Sequence, residues 1–295
     1  METVELPQGT IKYRVTGGGA GPRAANGTGP ADSTAPPVVF VHGFLVNHEL
    51  WDGVGDALAA EGIRTYSPDL PLGSHTIALK PEADRSPRGV AILINDFLAA
   101  LDLDDVTLVG NDTGGAICQF LLDTDHSRIG RLVLTNCDAF DQFPPAPFDV
   151  LLKLGRSPAM LRIMGDTMRP RFMRHSYIGF GGLVGKPLDK AMSRRWIEPV
   201  LKDAGVRRDT SAFLREVRPS ELLDVSTRLG SFGKPVRLVW GTADPFFKIS
   251  FAQKLLDAFG PNAELVEVPG AKTFHALDDP APVAREIAAL STVSG

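Results

Sequence analysis

The sequence predicts an α/β fold: a mostly parallel central sheet with helices on both faces and an inserted helical cap. Three observations predict it. From residue 38 onward, short β-branched apolar runs alternate with helical patterns, as parallel strands joined by crossover helices require. That alternation lapses between residues 141 and 218 and then resumes, which marks an insertion. The chain of 295 residues, 43% hydrophobic and 22% charged, is long enough to bury one large core and carry such an insertion. The expected organisation is therefore a core of residues 1–140 and 219–295 with a helical cap over 141–218.

Each element has its own signal. VELPQGTIKYRV reads as two short strands around a turn, and residues 18–37, rich in Gly, Pro and Ala, read as a flexible loop. PPVVFVHGF is a buried strand ending in glycine. The helix LWDGVGDALAAEG, strand RTYSPDL, helix SPRGVAILINDFLAALDL and strand DVTLVGND follow, then the helix GGAICQFLLDTD and strand RLVLTNCD. In the insertion, DVLLKLG, AMLRIMG, DKAMSRRWIEPVL and TSAFLREV read as short helices, with YIGFGGLVGK as a flexible connection. VRLVWGTAD, ISFAQKLLDAF, AELVEVPG and PVAREIAAL complete the strand and helix alternation.

Composition excludes several classes. A net charge of −4 leaves no footprint for nucleic acid. Cys118 and Cys137 both lie in apolar stretches and read as buried thiols, so neither a disulfide framework nor a metal site is expected. The first residues lack a secretory pattern, and no apolar run approaches the ~20 residues of a membrane span. A cytoplasmic protein without cofactor or metal is expected, acting on a small molecule, with no membrane or nucleic-acid partner; oligomeric state is left open. Residues 151–218 hold 15 Lys and Arg against 6 Asp and Glu, net +9, while the remainder holds 16 against 29, net −13. This asymmetry reads either as mutual attraction of cap and core or as steering of an anionic substrate.

The reactive residues gather where strands end. In an open parallel sheet, active groups lie at the carboxyl ends of the strands. Asp112 ends the fifth strand in Gly110-Asn111-Asp112-Thr113-Gly114, Asp138 the sixth and Asp244 the seventh. His42 and Phe44 follow the third, and His275 lies after the last. A glycine-flanked acid between strand and helix suits a reactive residue held in a strained turn, beside the free N–H groups of a helix start that favour an ionised carboxylate. The alternative is a helix cap.

Together, the strand-Gly-x-nucleophile-x-Gly-helix turn, the early His-Gly, the late acid and the late His resemble the α/β-hydrolase fold over essentially the whole chain. The aspartate at the elbow resembles the branch that contains haloalkane dehalogenases, fluoroacetate-type dehalogenases and epoxide hydrolases. The resemblance implies that Asp112 attacks an sp³ carbon to form an alkyl ester, with the Phe44 and Thr113 N–H groups as oxyanion hole. A histidine oriented by an acid would then activate water against the ester. It implies His275 as that base and Asp244 as the acid, with Asp138 as the alternative acid. Both sequence anchors for the histidine, counted from Pro269 and from Pro280, land on Thr273. His275 is two residues late, a displacement of roughly 6–7 Å in an extended loop.

The leaving group is not legible. Dehalogenases of this branch resemble HGN early and a Trp after the nucleophile, where this chain has Phe44 and Thr113; the fluoroacetate type has arginines after the nucleophile, absent from TGGAICQ. Epoxide hydrolases use cap tyrosines, of which only Tyr177 is present. His175, Tyr177 and Trp196 are the expected polar cap contacts to substrate, and His42 is expected to border the cavity while shaping the oxyanion loop. A hydrolase acting on a small or medium apolar organic molecule is expected; the alternatives are a lyase, isomerase or cyclase using Asp112 as a base, or a binding protein with impaired turnover.

Overall fold

A computed structural model describes residues 1–18 and 35–292; the expected loop over 18–37 falls largely outside the described residues. Eight strands form one sheet: β1 (Glu2–Leu6), β2 (Gly9–Thr16), β3 (Val38–Val41), β4 (Thr65–Pro68), β5 (Val106–Asp112), β6 (Ile129–Cys137), β7 (Val236–Gly241) and β8 (Ala263–Val268). Their order is β1-β2-β4-β3-β5-β6-β7-β8. Only the β1–β2 and β2–β4 pairs are antiparallel. The central strands are sequence-coded for burial on both faces: all four residues of β3 and all nine of β6 are buried, as a parallel sheet covered by helices demands.

The helices start where capping residues allow. Ser86 accepts from the Gly89 N–H (3.0 Å) and opens Pro87–Ala100, and Asp189 accepts from Met192 N–H (2.7 Å) and opens Lys190–Lys202. The helix expected at TSAFLREV begins earlier, at Ala204, because Asp203 accepts from the N–H groups of Gly205 and Val206. Between β6 and β7 the chain is helical, and Pro219–Ser226 packs back on the helix Thr113–Thr124.

The segment expected to be a flexible connection is not one. Phe180 and Leu183 are buried, the Phe180 ring meets Trp196 edge-on at 5.1 Å, and the Phe274 N–H donates to the Leu183 carbonyl at 2.8 Å. Its glycines serve close approach: a Cβ on Gly181 would sit 2.1 Å from the His175 carbonyl oxygen, and one on Gly182 2.2 Å from that of Tyr177. Cys118 and Cys137 are free and buried. No helix among the described residues is long and apolar enough to cross a membrane.

The charge asymmetry is only partly cashed in contacts. Arg195 of the insertion pairs with Glu49 at 2.5 Å, but a more deeply buried bridge runs the other way. Asp209 of the insertion accepts from Arg85 Nε (2.6 Å) and from the Leu79 N–H (2.7 Å).

Candidate active site

The turn between β5 and the helix Thr113–Thr124 forces Asp112 into φ 53°, ψ −132°, a region that L-residues rarely occupy. Three glycines make the turn possible. A Cβ on Gly114 would lie 2.3 Å from the Val41 carbonyl oxygen, and one on Gly110 2.7 Å from Cys118 Sγ. The third, Gly43 of the His-Gly pair, would place a Cβ 2.1 Å from Asp112 Oδ2 itself, so glycine there is what admits the carboxylate.

Asp112 does not cap its helix. Its Oδ2 instead accepts from the Phe44 N–H at 3.0 Å, and the Thr113 N–H also draws on the carboxylate. These are the two donors expected of the oxyanion loop. The expectation that the helix start keeps Asp112 ionised is corrected: burial outweighs both donors, aided by the nearby charge of Asp244, and lifts its pKa to about 7. His42 builds the loop. Burial pushes its ring down to about 4, and the neutral ring donates from Nδ1 to the Gly43 carbonyl (2.9 Å) while Nε2 accepts from the Leu70 N–H (2.8 Å).

The acid expected to orient a histidine orients a threonine. Asp244 Oδ1 accepts from the N–H groups of Phe246 (2.8 Å) and Phe247 (3.0 Å); Oδ2 accepts from Asn136 Nδ2 (2.9 Å) and from the Thr273 hydroxyl (2.7 Å). Thr273 is held from the other side by Asn111, whose Nδ2 donates to its carbonyl at 2.8 Å. Burial raises the Asp244 pKa against these four donors. Asn111 and Asn136 carry this network, and neither stood out in the sequence; the only signal was their position beside the two strand-end acids.

His275 is not brought to the site. It opens the short helix His275–Asp278, is buried, and neither ring nitrogen has a hydrogen bond of acceptable geometry. Burial lowers its pKa to about 4, with the Val239 carbonyl and Asp279, not Asp112 or Asp244, as its polar neighbours. The re-routed loop that would have restored its reach is absent, because the segment folds into a helical turn that carries the ring into the core. Asp138 is likewise no orienting acid. It is fully buried beside the elbow, its N–H donating to the Asp112 carbonyl at 3.3 Å. Burial and the charge of Asp112 push its carboxyl well above the usual range despite the Thr113 hydroxyl.

Asp112, Thr113 and Phe44 border a cavity of about 160 Å³ roofed by the inserted helices. Apart from Asp112, Thr113 and Thr167, its lining carries only apolar side chains and glycine, including Leu161, Met164, Met168 and Met173. None of the expected cap contacts lines it, and neither does His42. The His175 ring bonds Ser193 Oγ (2.9 Å), Tyr177 is exposed against Phe246, and the buried Trp196 donates to Asn47 Oδ1 (3.1 Å). Packing and not substrate contact explains all three. A second pocket of about 240 Å³ shares Phe44, Thr113, Pro144 and Leu152 with the first, and adds Asp141, Asp149, Lys153 and Arg156. Among the described residues, no group of three or more His, Cys, Asp or Glu could hold a metal ion.

Known proteins resemble this chain in sequence or in fold. An uncharacterized protein of Mycobacterium tuberculosis (strain ATCC 25618 / H37Rv) is 27% identical over 282 residues, 92% of this chain and 78% of the relative. Haloalkane dehalogenase 2 of the same strain is 26% identical over 266 residues, 87% of this chain and 88% of that protein. The solved epoxide hydrolase CorEH superposes with a TM-score of 0.75 at 16% identity, over 98% of this chain and 97% of that one. At that identity the likeness is one of fold. Residues 38–286 match the model of the alpha/beta hydrolase family. That match spans most of the chain, and the chain belongs to the α/β-hydrolase family.

Proposed function

We propose that the protein is an enzyme in which Asp112 exchanges a proton with a small or medium apolar substrate, in a lyase, isomerase or cyclase reaction. The observation that carries this reading is the 2.7 Å bond from the Thr273 hydroxyl to Asp244. The place where a hydrolase of this kind needs its base is taken by a group that cannot accept a proton at neutral pH. No histidine lines the cavity to replace it. Asp112, with a pKa of about 7, is matched to a general base that works near neutrality. The apolar lining keeps water from competing for the proton, and the Phe44 and Thr113 N–H groups stabilise the carboxylate form.

A second reading is favoured by those same donors: Asp112 as nucleophile, its carboxylate displacing bromide from a haloalkane, or opening an epoxide C–O bond whose alkoxide takes a proton from water, to form an alkyl ester whose carbonyl oxygen stays in the Phe44 and Thr113 pair. Carboxylate attack needs no base, whereas hydrolysis of the ester does. On this reading the protein accumulates a covalent adduct. Intact mass after incubation with 1,2-epoxyoctane and with 1-bromohexane separates the two. Proton exchange is supported by an unmodified protein that speeds deuterium incorporation into β,γ-unsaturated ketones in heavy water, with the rate lost in Asp112→Asn. A stable adduct on Asp112 supports the nucleophile. Turnover with solvent oxygen in the product would overturn the acid–base reading.

A further inference from the structure

The roof of the cavity is apolar on its outer side as well. Of the ten exposed large hydrophobic residues among the described ones, seven lie between residues 150 and 178, including Val150 (65% exposed), Ile163 and Phe172 (74%). A soluble surface rarely concentrates them in this way without a partner. They project from the same short segments, Phe148–Leu154, Pro158–Thr167 and the stretch around Arg171–Arg174, whose other faces line the cavity through Leu151, Leu161, Met164 and Met173. Ile178 is both exposed and part of the lining, so the cavity reaches the surface within this patch.

The patch is also basic. Residues 148–178 hold six Lys and Arg against two Asp, net +4. Asp149 pairs with Lys153 and Asp166 with both Arg162 and Arg169, which leaves Arg156, Arg171 and Arg174 without a carboxylate partner among the described residues. Arg174 is buried and Arg156 donates to the Leu214 and Val217 carbonyls, so the exposed Arg171 is the charge that faces outward. Arg171 directly precedes the exposed Phe172.

We propose that this face of the insertion docks on an anionic phospholipid surface, with Phe172 and Ile163 entering the interface and Arg171 meeting the headgroups. Short amphipathic helices with basic and apolar residues on one surface bind lipid interfaces in this manner, and two weak signals together give stable attachment. Charge complementarity favours a lipid surface over an apolar protein partner, since an apolar partner would leave the surplus positive charge buried and unpaired. The docked orientation brings the mouth of the apolar cavity to the bilayer, from which a poorly water-soluble substrate can enter without crossing water.

The test is flotation of the full chain with vesicles of phosphatidylglycerol and phosphatidylcholine in equal parts and with vesicles of phosphatidylcholine alone. The protein should float with the anionic vesicles only, and high salt should release it. Phe172→Ser with Ile163→Ser should lower partitioning by about tenfold or more, with an unchanged melting temperature because both side chains are exposed. Asp112→Asn should float like the original chain, so the outcome is separable from the reading of the reaction. Absence of flotation, equal flotation with both vesicle types, or a double variant that floats unchanged would overturn the proposal. So would a dimer in light scattering that becomes a monomer in the double variant.

Discussion

Replacing Asp112 by asparagine should remove a pH dependence of stability that the buried carboxylate imposes. In the folded protein its pKa is raised from 3.8 to about 7, chiefly by burial. Below the unfolded value both states are protonated and the group contributes nothing. Between 3.8 and about 7 the unfolded chain ionises while the folded chain holds the proton, so the unfolded state binds fewer protons and stability falls as pH rises. Above about 7 the full penalty is in place, on the order of 4 kcal/mol for a rise of this size. Asparagine keeps the shape and has no proton to lose. Burial first, and then the charge of Asp112, raise the Asp138 pKa, so the comparison is repeated in an Asp138→Asn background, which removes that group's share. Urea midpoints of the two proteins at pH 5 and pH 8.5, compared at equal m-values, should therefore diverge, with Asp112→Asn the more stable at the higher pH. Parallel curves would refute the elevated pKa and, with it, Asp112 as a base poised near neutrality.

Other perturbations follow from named contacts. Gly43→Ala should abolish activity and destabilise the fold by about 1–3 kcal/mol or more, because the new Cβ would overlap Asp112 Oδ2; activity and melting temperature check this. Thr273→Val removes one of the four donors to Asp244 and should cost about 1–3 kcal/mol, read from urea unfolding at neutral pH. Asp138→Asn should gain stability relative to the original chain as pH rises from acid toward neutral, since burial raises this carboxyl's pKa in the folded state and an amide has no proton to lose; urea midpoints that move apart in the opposite sense would refute the raised pKa. Asp209 is held at about 2 by His75, Arg85, Arg208 and the Leu79 N–H against a burial effect that alone would raise it. Its stabilisation is present above the unfolded value and lost as pH falls toward 2. Asp209→Ala should cost about 3–5 kcal/mol by stranding the buried Arg85, measured as a lowered melting temperature.

Sequence alone determined the sheet and the elbow. Hydrophobic periodicity is a local property: β3 is apolar throughout, and β5 and β6 carry apolar runs, Val106–Val109 broken only by Thr107 and Leu132–Leu134, that are buried on both faces. The glycines around Asp112 were equally legible, since a strained strand-to-helix turn tolerates little else. Spacing from two prolines pointed to Thr273, and the structure puts the Thr273 hydroxyl on Asp244. What only tertiary structure decided is which groups meet. Whether His275 reached Asp112 depended on the path of one loop, and a helical turn at His275–Asp278 sent the ring into the core. His175, Tyr177 and Trp196 carry the right chemistry for a cavity wall but face Ser193, Phe246 and Asn47 instead. The glycines of 179–182 looked flexible because sequence shows composition and not proximity; in the fold they are the points where two backbones touch. The protonation of Asp112 was beyond the sequence for the same reason, because a pKa is set by the desolvation and charges that surround a group in space.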